Sequence, residues 1–241
     1  MMISLFKLLL SGVLLSRQII QGPVSADDTS LSWMTYTEAK ENFILDFENN
    51  FDNIVSYHFL LNEIINESSV DVNKSKQDLL RELRLYCKNN ACILKQINDF
   101  EKNYRSKDAV YWYTKDCFLY RLINKALRSQ NMELIFKYRY FISELYYQLS
   151  SLHSTCYIRD IVAKTCIAYR GQQLPFRELS KLKVGQLITM NGFVSASLSK
   201  QVALIYAGDG SNRPKMESVL FAIHIDNRIG LFSTFHHIEK E

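Results

Sequence analysis

An α+β chain, with a helical amino-terminal half packed on a strand-rich carboxy-terminal half, is what the sequence predicts, on three observations. From about Thr37 to Leu152 apolar residues recur three and four apart, the spacing of one helix face. After His153 the pattern changes to short apolar runs with two-residue alternation, punctuated by Pro175, Asn191-Gly192 and Gly208. Three prolines and eight glycines in 241 residues are few, which favours long helices over a loop-rich fold. A groove between the two halves is where a ligand is expected.

In chain order, Leu8 to Leu15 is a short apolar run behind Lys7, and Val24-Ser25-Ala26 before Asp27 has the small residues a signal peptidase cuts after. Ser11 interrupts the run, and the polar stretch from Ser16 to Pro23 is long for a signal. Residues 1–26 therefore read either as a cleaved signal peptide, which makes the chain secreted, or as an N-terminal hydrophobic segment of a cytoplasmic chain. The run is too short to span a bilayer, so no transmembrane span is expected. Two glycosylation sequons, Asn66-Glu67-Ser68 and Asn73-Lys74-Ser75, matter only for an exported chain.

Residues 27–76 read as a helical extension and residues 77–241 as the main domain, helical over about 77–152 and β-rich over about 160–241. Leu79, Leu80, Leu83 and Tyr86 or Cys87 mark one helix face between Lys76 and Lys88. Ile93, Leu94, Ile97, Phe100 and Tyr104 mark the next. Ser106 is expected to cap a short helix with Asp108 in its first turn, and Asp116 the helix carrying Phe118, Leu119, Leu122, Ile123, Ala126 and Leu127. A last long helix spans Met132 to Leu149, with Phe136, Tyr138, Tyr140, Phe141, Tyr146 and Tyr147 as core rather than a platform for bases. Strands are expected over Thr165 to Arg170, over Leu187 to Ser197 with a break at Asn191-Gly192, and over Glu217 to Asp226. Short helices follow Pro175, from Phe176 to Leu182, and Ser199, as far as Ala207.

Composition narrows the function classes. The 29 basic and 25 acidic residues are interspersed, and a net charge of +4 scattered over polar helix faces does not argue for nucleic acid. It suits an anionic small molecule without requiring one. The five cysteines, Cys87, Cys92, Cys117, Cys156 and Cys166, fit no zinc spacing. His236 and His237 lack a third ligand at sensible spacing, and His224 sits among strand residues, so no metal site is expected.

Two segments carry candidate chemistry. Tyr169-Arg170-Gly171-Gln172 ends an apolar run with a guanidinium fork suited to a pyrophosphate, then a glycine that lets backbone approach a ligand closely. Phe193-Val194-Ser195-Ala196-Ser197 follows an apolar run with short hydroxyls. An Arg-Gly turn and a Ser-x-Ser pair each recur widely, so their order along the chain carries the argument. The chain ends His236-His237-Ile238-Glu239-Lys240-Glu241, and carboxylates two apart on a strand reach the same side.

A helical lead-in, then Tyr-Arg-Gly, then Phe-x-Ser-x-Ser, then a capped helix and a Glu-x-Glu, resembles the arginine-directed mono-ADP-ribosyltransferases, the family with the R-S-E signature. Ala109-Val110-Tyr111-Trp112-Tyr113-Thr114 and Asn124-Lys125-Ala126-Leu127-Arg128 look like that family's helical subdomain, most of all in its branch expanded in small invertebrates. Coverage runs from about Leu79 to Glu241. The resemblance implies a split sheet and transfer of ADP-ribose from NAD or NADP, as co-substrate, to arginine side chains of a protein acceptor, with release of nicotinamide. It implies that Arg170, Gly171, Gln172, Phe193, Ser195 and Ser197 bind NAD. Arg170 would take its phosphates, the Gly171 backbone the nicotinamide carboxamide, and Ser195 the nicotinamide ribose while orienting the acid. Glu241 would be the catalytic carboxylate, stabilising positive charge at the anomeric carbon, and Glu239 would orient the acceptor. Ala196 stands where the family usually has threonine. The stretch between Asp226 and Glu239 is short for the family, and the strand that usually follows the second glutamate is missing. NAD glycohydrolysis and a truncated, catalytically inactive NAD-binding or interaction module stay open beside transfer.

Overall fold

The structure is a computed structural model that describes residues 2–5, 16–18, 45–46, 51–68, 71–115, 118–154, 165–186, 188–211 and 215–226. Mixed helix and antiparallel sheet make it an α+β chain. It divides into a helical unit, Asp52–Ile158, and a second unit made of Met1–Phe51 with Arg159–Glu241. The expected boundary between residues 76 and 77 falls inside a helix. The segment 27–76 is also not uniformly helical, since Leu45–Asp46 pairs as a strand with Thr189 and Ile188.

The helical unit contains α1 (Phe51–Ser68), α2 (Val72–Tyr86), α3 (Ala91–Asn103), a 3₁₀ turn (Ser106–Asp108), α4 (Ala109–Thr114), α5 (Phe118–Ser129), α6 (Met132–Lys137) and α7 (Arg139–Ser154). The apolar stripes read for α2, α3 and α5 are largely the buried faces. Leu79, Leu80, Leu83 and Cys87 are buried on α2 and at its end, and Tyr86 lies outside. All six apolar residues predicted for α5 are buried. Asp71, Asn90 and Asn131 cap α2, α3 and α6, each side chain accepting from a backbone N–H three residues on. Ser106 is not a cap: it lies within the 3₁₀ turn, and α4 starts at Asp108 with no side-chain capping bond. Asp116 lies outside the described residues.

The expected single helix from Met132 to Leu149 is two, because Tyr138 sits at φ −95° and ψ 4°, outside the helical region. Arg139 folds back there, donating from Nη1 to the Phe136 carbonyl at 2.8 Å and from Nη2 to Asp78 at 2.9 Å, with its guanidinium over the Phe136 ring. Tyr138, Tyr140 and Phe141 are core, and Phe141 and Tyr104 meet Phe100 in a cluster of rings. Phe136 and Tyr147 from the same stripe are exposed.

The second unit is built on a sheet of β1 (Met2–Leu5), β2 (Ser16–Gln18), β4 (Thr165–Pro175), β6 (Val194–Ser197) and β7 (Met216–Asp226) in the order β1-β6-β4-β7-β2; β3 (Leu45–Asp46) and β5 (Ile188–Thr189) form a separate pair. The centre is the antiparallel set β6-β4-β7. β4 runs on past Arg170 to Pro175 because β7 is equally long and pairs with it throughout, from Thr165 opposite Asp226 to Pro175 opposite Met216. Long pairing overrides the poor strand preference of Gly171. Ala168, Leu174, Val194, Ala196, Val219, Phe221 and Ile223 form the core on one face, joined by Leu179 of the short helix α8 (Phe176–Leu179) and by Ile188 and Met190. Helix α9 (Lys200–Ala207), capped by Ser199, packs against β4 on the other face.

Candidate functional site

The candidate site forms where β4 and β6 part. The two strands share a single paired position, Tyr169 opposite Ser197, whereas β4 and β7 pair along their whole length. Beyond Tyr169 the described residues of β4 have no further paired position with β6, and Arg170 is the next residue along the strand. Its Nη1 donates to the Ser195 carbonyl at 2.8 Å, and its Nε donates to Gln172 Oε1 at 2.9 Å. A guanidinium has five N–H donors. Those on Nη2 and the second on Nη1 have no partner among the described residues. Arg170 and Gln172 are both partly exposed.

Alternation along the strands sorts the remaining candidates by face. Arg170 and Gln172 lie between Ala168 and Leu174 on the face opposite Phe221 and Val219. Ser195 and Ser197 lie on the Tyr169 and Gly171 face, which α9 covers. Arg170 and Ser195 are thus brought together through the Ser195 main chain, not through its hydroxyl. Ser195 Oγ is buried without a hydrogen-bond partner among the described residues, and Ser197 Oγ accepts from the Ser199 N–H at 3.1 Å. Phe193 is buried just before β6.

Gly171 makes a close approach, and its neighbour is helix α9. A Cβ built there falls 1.6 Å from the Ala203 carbonyl oxygen and 2.7 Å from the Ala207 nitrogen. The missing side chain lets helix backbone lie on the strand, a packing reason for glycine that the sequence did not suggest. Gly208, at φ 76°, then ends α9, with its position against the Gln173 amide.

Asn191 was not among the expected site residues. It is 4% exposed, and neither its Oδ1 nor its Nδ2 has a hydrogen-bond partner among the described residues. A buried amide left unpaired costs about 1–3 kcal/mol. The sequence signal was the Asn191-Gly192 interruption of an apolar run, which reads as turn chemistry; Gly192 does take φ 122°.

Glu239 and Glu241 lie outside the described residues, as do His236 and His237. The described residues hold no group of three or more His, Cys, Asp or Glu placed for a metal, and no helix among them is long and apolar enough to cross a membrane. Of the cysteines, Cys87 is buried and Cys92 exposed, and both are free thiols.

Compared with models of protein families, with curated proteins and with solved structures, the chain matches none. The functional reading rests on the residues themselves.

Two features fit a diphosphate such as that of NAD. Arg170 keeps N–H donors uncommitted among the described residues, suited to phosphate oxygens. The pairing of β4 with β6 is limited to one position, next to the arginine.

Proposed function

We propose that the chain transfers ADP-ribose from NAD to arginine side chains of a protein acceptor and releases nicotinamide. The observation that carries this reading is Arg170, anchored between Gln172 and the Ser195 carbonyl next to the one paired position of β4 and β6, with its remaining N–H donors uncommitted among the described residues. Such a fork holds two phosphate oxygens in a fixed geometry that a lysine does not reproduce. The order of Tyr169-Arg170-Gly171, Phe193 to Ser197 and Glu239 to Glu241 along the chain supports it as a resemblance.

In this reading Arg170 binds the diphosphate and the Phe193–Ser197 segment flanks the nicotinamide ribose. Glu241 supplies a carboxylate to the positive charge that develops at the anomeric carbon as the bond to nicotinamide breaks, and Glu239 orients the acceptor guanidinium. A preorganised carboxylate at a developing cation is worth most in a site that excludes water.

The test incubates the full chain with NAD labelled in its adenylate part and an arginine-rich protein, and scores nicotinamide release and acceptor labelling separately. Both signals are expected, and Glu241→Gln is expected to abolish both while NAD still binds. Release without labelling replaces transfer by glycohydrolysis. Unchanged labelling by Glu241→Gln overturns the role given to that carboxylate.

A further inference from the structure

We infer that Gln172 is a positioning residue: it fixes the Arg170 guanidinium so that its remaining N–H donors meet an anionic ligand, and it does not touch the ligand itself. The inference rests on the NAD reading above and deepens it, because the resemblance had placed Gln172 among the residues that contact NAD.

The geometry begins with spacing. Residues 170 and 172 are two apart on β4, so their side chains rise from the same face and lie next to each other. On that face Arg170 stands opposite Phe221 and Gln172 opposite Val219, with fully buried Ala168 and Leu174 at either end. Those neighbours are apolar and offer the guanidinium no side-chain acceptor. Gln172 Oε1 takes the Nε proton at 2.9 Å, and the Ser195 carbonyl takes one from Nη1 at 2.8 Å. Bonds from two different nitrogens of a planar group fix its rotation, and they leave both Nη2 protons and one Nη1 proton uncommitted among the described residues.

Two physical consequences follow. An unclamped arginine loses the freedom of a long side chain when it binds, whereas a clamped one has lost it already. A neutral amide also holds the guanidinium without cancelling its charge. A glutamate at 172 would form a charge-assisted pair with Arg170 and compete with the phosphates. Glutamine gives geometry and leaves the full positive charge for the ligand.

The experiment compares the full chain with Gln172→Leu and Gln172→Glu, each alone and on an Arg170→Lys background. It reads KM and kcat for NAD, the thermal midpoint, and the arginine Nε–H resonances of the free protein by NMR. Gln172→Leu is expected to raise KM about tenfold, the effect of losing one hydrogen bond to a charged group, with kcat and the thermal midpoint little changed. The Arg170 Nε–H resonance should shift in that variant. Gln172→Glu should raise KM as well but keep a hydrogen-bonded Nε–H. On the Arg170→Lys background, which lacks an Nε, Gln172→Leu should not add to the KM.

Additive effects on that background, or an unchanged KM with Gln172→Leu, would overturn the inference while NAD binding stood. A wild type that binds no NAD overturns the NAD reading and, with it, the role assigned here to Gln172. An Arg170 resonance that does not respond to Gln172→Leu overturns the clamp itself, whatever the ligand.

Discussion

At the scale of single residues, Gly171 shows how one sequence signal can serve two physical demands. A glycine after an arginine suggested close approach by a ligand, and the approach in the structure is made by the α9 backbone. Both readings need the absence of a Cβ, so residue type alone could not separate them. Gly171→Ala should push helix from strand. Overpacking against backbone atoms rather than a flexible side-chain tip belongs at the upper end of its usual cost, about 3 kcal/mol, read as a lower urea midpoint. An alanine variant as stable as wild type would mean that α9 does not lie on β4 in this way. Arg170 was legible as a charged residue ending an apolar run, but its clamp was not. Gln172 could be seen to share its face from two-residue spacing, whereas the Ser195 carbonyl needed the third dimension.

Elements were more legible than residues, and the exceptions have causes. Stripes on α2, α3 and α5 were read correctly because helical spacing and burial coincide there. The break at Tyr138 was invisible because the periodicity runs straight through it. It is accompanied by long-range contacts of Arg139 with Asp78, on another helix. The length of β4 was underestimated because strand length depends on the partner strand. Ser199 was legible as a cap and is one, accepting from the Val202 N–H at 3.4 Å. Ser199→Ala should cost about 1 kcal/mol, measured by chemical denaturation, and loosen α9 over Gly171. No loss would show that the neighbouring Ser197 contact to the Ser199 N–H is enough to hold the helix start.

Within α1, burial lowers the pKa of His58 from its ordinary 6.5, and its Nδ1 has no hydrogen-bond partner among the described residues. The unfolded chain therefore takes up a proton at a higher pH than the folded one. The sign follows: stability from the neutral ring is present above about pH 6.5 and is lost as pH falls through the lowered folded value. His58→Phe should remove part of the acid-side decline in stability between about pH 7.5 and about pH 5. Matching urea midpoints against pH for the two proteins would contradict the assignment.

At the scale of the whole molecule, the division into helical and strand-rich parts followed from the change in hydrophobic period after His153. Its boundaries did not. Helix α1 belongs with the helices after it, and the short strand β3 ahead of α1 joins the second unit. Chain connectivity suggested a simple succession of domains, while packing draws residues from both ends of the sequence into one unit. The order of the Tyr169-Arg170-Gly171 and Phe193–Ser197 segments becomes adjacency at the β4 and β6 pair.

The claim on which the rest depends is that Arg170 holds NAD at that strand pair. Titrating NAD into the wild-type chain and into Arg170→Ala by calorimetry, with thermal midpoints as a check on folding, tests it most directly. The account predicts saturable binding by the wild type and at least about a tenfold weaker affinity for the variant, as expected when a charge-assisted contact to phosphate is removed. Equal affinity in two equally stable proteins would contradict it.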